Sequence, residues 1–84
     1  MLNNSAFLVM PMEYLVVHFP RPRRVKIDDE FHSSTEELIE IEAGKHVVSL
    51  GSPHNFTPDD QTIILKNTSA LDPREITFDL AEEG

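Results

Sequence analysis

Apolar and polar residues alternate with a period of two in six short runs, and the runs are separated by Pro, Gly, Asn and Asp. A strand turns successive side chains to opposite faces, so this pattern predicts half-buried β-strands. Residues 13–19 form the first, with Leu15, Val17 and Phe19 expected inward and His18 on the other face. Pro20 and Pro22 stop it, because proline cannot donate to a central ladder. Residues 24–27 alternate basic and apolar and run into Asp28-Asp29, a pair suited to a tight hairpin turn. Phe31 is expected to anchor in the core on the way out.

Residues 34–44 carry two signals. Ser34 and Glu37 have capping-box spacing and Gly44 could end a helix. Against this, Ile39, Ile41 and Ala43 alternate with Glu40 and Glu42, whereas a helix at about 100° per residue would set Ile39 and Ile41 roughly 160° apart. The strand reading is preferred, with at most one helical turn near residues 35–38. Gly44-Lys45 is then predicted to turn the chain into a strand over 46–50, making a hairpin with 39–43. Residues 62–65 and 75–80 complete the set, the latter with Ile76, Phe78 and Leu80 on one face. About six short strands without intervening helices predict an all-β fold, a small antiparallel β-sandwich or partly open barrel. The missing crossover helices exclude a parallel α/β architecture. The expected core is Leu15, Val17, Val25, Ile27, Phe31, Ile39, Ile41, Val48, Leu50, Ile76 and Phe78.

A chain of 84 residues supports one core, read here as a single domain over 12–84 preceded by a disordered arm over 1–11. There is no cysteine, hence neither a disulfide nor a thiolate zinc site. The apolar stretch at 6–10 is far too short to span a bilayer and has no Lys or Arg before it. No membrane insertion is expected, and the lack of a visible targeting segment points to the cytoplasm, although a cysteine-free chain also fits a bacterial envelope.

The net charge of −8 argues against binding nucleic acid or an anionic membrane, which require a positive surface. That charge is uneven. Arg21, Arg23, Arg24 and Lys26 give +4 within residues 21–26, whereas residues 27–84 sum to −11.

Catalytic, metal and cofactor chemistry finds no carrier. His18, His32, His46 and His54 form no H-x-H or H-x-x-x-H pair. Asp28-Asp29-Glu30 lacks the ligand spacing of an EF-hand, and Asp59-Asp60 reads as turn chemistry. The serines lie outside any G-x-S-x-G elbow, and three scattered glycines cannot cradle a phosphate.

The basic segment is the one candidate site. Prolines on both sides of Arg21 stiffen an extended loop, lowering the entropy lost when guanidinium groups dock on carboxylates. Arg21, Arg23, Arg24 and Lys26 are therefore expected to contact an acidic protein surface, or a second copy of the chain. The competing reading places them on a short edge strand, where they would discourage strand-to-strand aggregation.

Val25-Lys26-Ile27-Asp28-Asp29, followed by Ile39-Glu40-Ile41-Glu42-Ala43-Gly44-Lys45-His46-Val47-Val48-Ser49-Leu50, resembles PEGA-type domains over about residues 13–80. These are small β-sandwiches of prokaryotic envelope and multidomain proteins. Asp29 replaces the glycine of the V-x-I-D-G element, and Ala43 stands where a proline often precedes the second glycine. The resemblance implies a non-enzymatic accessory or interaction module and supplies no catalytic residues. The alternative function is a carbohydrate or cell-envelope ligand binder, for which stacking rings are few: no Trp and one Tyr.

Overall fold

The computed structural model describes residues 11–81, which contain nine strands and no helix. In chain order these are β1 (Met12–His18), β2 (Arg24–Ile27), β3 (Glu30–Ser34), β4 (Ile39–Glu42), β5 (Gly44–Leu50), β6 (Phe56–Thr57), β7 (Gln61–Leu65), β8 (Arg74–Thr77) and β9 (Asp79–Leu80). Sheet I has the order β4-β1-β8, sheet II the order β3-β2-β5-β7, and β6-β9 form a two-stranded third sheet. The fold is the predicted all-β sandwich. The arm expected over 1–11 lies outside the described residues except for Pro11, whose carbonyl accepts the Ala43 N–H at 2.8 Å.

The sandwich is held by the inner faces of the two larger sheets. Sheet I contributes Leu15, Val17, Ile39, Ile41 and Ile76, and sheet II contributes Val25, Ile27, Val48, Leu50, Ile63 and Leu65, all buried. Phe19, Phe56 and Phe78 close one end as edge-on rings, with centroids 6.3 Å apart for Phe19–Phe56 and 5.7 Å for Phe56–Phe78. Edge-to-face packing suits the ring quadrupoles and adds to the gain from area alone.

Three expectations are corrected. First, 39–43 and 46–50 do not form a hairpin: β4 pairs with β1, while β5 pairs with β2 and β7. The break at Ala43-Gly44 moves the chain from one sheet to the other, and Gly44 adopts φ of 119°, a conformation that L side chains rarely take. Second, Phe31 is outside the core, with 46% of its surface exposed. The two-residue turn at Asp28-Asp29, both at positive φ as a type I′ hairpin requires, pairs Lys26 with Phe31 and so carries the ring to the outer face. Third, β2 is an interior strand between β3 and β5, so the basic residues do not protect an edge.

Sheet I also contains one parallel pair, Leu15 to His18 against Arg74 to Thr77. Residues 35–38 form a turn, not a helix, linking sheet II back to sheet I; Thr35 and Glu36 donate their N–H groups to Arg23 and Val17, each at 2.9 Å.

Candidate functional site

The fold divides the basic segment. Arg21 lies exposed in the loop and, among the described residues, donates only to the adjacent Pro20 carbonyl. Arg23 turns against the body: its guanidinium lies 5.3 Å from the Phe19 ring centroid and donates to Asn55 Oδ1 at 2.7 Å. Buried Thr35 pins this loop, accepting the Arg23 N–H at 3.1 Å and donating to the Arg21 carbonyl at 3.3 Å. Arg24 and Lys26 occupy the outward positions of β2, alternating with buried Val25 and Ile27.

There they meet Phe31. The Arg24 guanidinium stacks 3.7 Å from the ring centroid, and Lys26 Nζ lies 5.7 Å from it. Such cation–π contacts hold the cations in place beside the ring. Gly51 provides the seat, since a Cβ there would come within 3.1 Å of Phe31 Cε1. From this stack the outer face of sheet II continues across the ladder. Lys26 is opposite Ser49, Val47 opposite Thr62 and Lys45 opposite Ile64. Val47 and Ile64 are 39% and 58% exposed. The outward positions of β2, β5 and β7 thus hold three of the chain's seven Lys and Arg residues, with Phe31, Val47 and Ile64 between them and no carboxylate.

Sheet I presents the opposite character. Its outward positions hold Tyr14, Val16 and His18 on β1, flanked by Glu40 and Glu42 on β4 and Glu75 on β8. The Tyr14 hydroxyl lies 3.3 Å from Glu40 Oε2, and this negative neighbour raises the phenol's pKa. His18 is clasped between carboxylates, Nε2 to Glu75 at 2.7 Å and Nδ1 to Glu36 at 2.8 Å. These bonds raise the His18 pKa above the usual histidine value, and Glu36 is lowered by His18 and by the Phe19 N–H. With both nitrogens engaged, the imidazole ties β1 to β8 and to the 35–38 turn.

Between β4 and the β2–β3 hairpin lies an open cleft of about 450 Å³, with Ile27 and Ile41 on its floor and Asp28, Glu40 and Glu42 around it. Buried His46 closes its inner end, with Nδ1 2.6 Å from Asp28 Oδ2 and Nε2 donating to the Glu42 carbonyl at 2.7 Å. Burial opposes the charged ring, but the bonds to Asp28 and Glu42 prevail and raise its pKa. Asp28 is lowered by the Val47 N–H and by His46. Among the described residues no three His, Asp or Glu side chains converge in a way that could hold a metal.

Of the four predicted contact residues, the structure therefore brings Arg24 and Lys26 together on one face and separates Arg21 and Arg23 from them. Lys45, Phe31, Val47 and Ile64 complete that face. Their signal is present in the chain as the doublets Val47-Val48 and Ile63-Ile64, because a strand must turn one member of each pair outward. Comparison with protein-family models, characterised proteins and solved structures finds no match to this chain.

Proposed function

We propose that this domain is a non-enzymatic interaction module that docks an acidic protein surface on the outer face of sheet II. The observation that carries the reading is the joining of Arg24, Lys26 and Lys45 with exposed Phe31, Val47 and Ile64 on a face where the outward positions of β2, β5 and β7 hold no carboxylate, in a chain whose net charge is −8. Apolar side chains supply contact area, and cations fix the partner's charge and speed its approach. The resemblance to PEGA-type domains belongs to this reading; Asp29, standing for the motif's glycine, has φ of 70°. Sugar stacking is less favoured, because the Phe31 ring is already covered by Arg24.

The test is a titration of isotope-labelled protein with a synthetic Asp/Glu-rich peptide containing one aromatic residue. Amide shifts are expected at Arg24, Lys26, Phe31, Lys45, Val47 and Ile64, and binding is lost when Arg24, Lys26 and Lys45 are all changed to Ser. Shifts confined to other surfaces, or affinity that ignores the triple substitution, would overturn the proposal.

A further inference from the structure

The two outer faces of the sandwich complement each other. Sheet II presents Arg24, Lys26 and Lys45 around Phe31, Val47 and Ile64; sheet I presents Glu40, Glu42 and Glu75 around Tyr14 and Val16. Both combine an apolar centre with a charged margin, and the margins have opposite sign. We infer that the acidic partner of sheet II is sheet I of a second copy, so that the domain stacks head to tail. This rests on the interaction reading above and names its partner.

The geometry fixes what such a contact can do. Both faces lie on the same molecule and point away from each other across the core, so a copy that uses sheet II keeps sheet I free. A heterologous contact of this kind does not close, and the stack grows from either end. Strand spacing of about 4.8 Å and rise of about 3.3 Å per residue give sheet I a face of roughly 240 Å² and sheet II one of roughly 330 Å² in projection. A contact that small belongs to the weak, transient class. Stacking therefore becomes substantial where copies are concentrated or tethered side by side, since linkage raises the effective concentration of the second contact.

Charge sets the salt dependence. At about 0.1 M salt the Debye length of about 10 Å already mutes repulsion between the bodies while leaving groups in contact attracted; at about 1 M it falls to about 3 Å. Stacking is favoured at the lower of these and weakened at the higher.

The test is sedimentation velocity from about 10 μM to about 1 mM protein, a range bracketing weak association. The wild-type mass distribution should broaden steadily with concentration without stopping at a dimer, and the association constant should fall about tenfold between the two salt conditions given above. Lys26→Glu with Lys45→Glu makes both faces acidic, and Glu40→Lys with Glu42→Lys makes both basic; each double variant alone should be monomeric. An equimolar mixture of the two should associate again, which also shows that both remain folded. Wild type that stays monomeric throughout, association that survives either reversal, or a mixture that fails to associate would each overturn the inference. The acidic peptide separates this from the broader reading. Peptide binding on sheet II by a wild type that never stacks ends the self-stacking inference alone, whereas absence of both ends both.

Discussion

Protonation of His18 and His46 is linked to folding because each imidazole has both ring nitrogens beside an acceptor. Their pKa values are raised in the folded state. Their contribution is therefore complete below the unfolded histidine value of about 6.5 and is lost as pH rises through the folded values. Asp28 and Glu36 are lowered, so their contribution is present above the unfolded carboxyl values of about 4 and is lost as pH falls through the folded ones. Stability should accordingly peak between about pH 4.5 and pH 6.5. A urea midpoint higher at pH 5.5 than at pH 8, with the difference reduced in His46→Gln, is the expected outcome. Buried Glu13 gives a second residue-level prediction. Its carboxylate accepts the Thr68 N–H at 2.8 Å and the Thr68 hydroxyl, while Thr68 Oγ1 accepts the Tyr14 N–H at 2.8 Å. Thr68→Val strips partners from both groups, so its melting temperature should fall, whereas Thr68→Ser should stay near wild type. Alternation sets Glu13 on the inward side with Leu15 and Val17, but nothing in the local pattern pairs it with a residue 55 positions away.

At the level of elements, the conformation of Gly44 is separable from its packing. A Cβ at Gly44 would meet nothing within 4 Å, yet its φ is 119°. Gly44→Ala should thus destabilise by about 1–3 kcal/mol through the backbone alone, measurable as a lowered urea midpoint with an unchanged slope. The same residue explains where local reading stops. Two period-two runs joined by a glycine look alike whether the chain reverses within a sheet or crosses to the facing one, so Ile39, Ile41, Val48 and Leu50 were legible as inward while their strand partners were not. Phe31 differs, for its place could be counted. A two-residue turn at Asp28-Asp29 sets Phe31 against Lys26, and Lys26 faces outward between Val25 and Ile27. Arg24 and Lys26 were legible as a basic pair; Lys45 and Ile64 join them only through the β5–β7 register.

For the molecule as a whole, the core is small enough that one side chain decides its fate. Phe78 is fully buried and packs edge-on against Phe56, itself buried. Phe78→Ala should cost about 3–5 kcal/mol, comparable with the roughly 3–5 kcal/mol of net stability expected of so small a domain. The variant should therefore lack a cooperative thermal transition. The parallel pairing of β1 with β8 has a further consequence in time. Leu15 cannot meet its neighbours until Ile39 and then Arg74 have been added to the chain. Closing such long loops must come before the contacts that reward it, which places folding in the millisecond-to-second range typical of non-local β topologies. On the ribosome one edge of β1 stays unpaired until residue 74 has been added, so a chain halted before that point should be bound by chaperones and cut readily by proteases, and a chain that includes β8 should escape both.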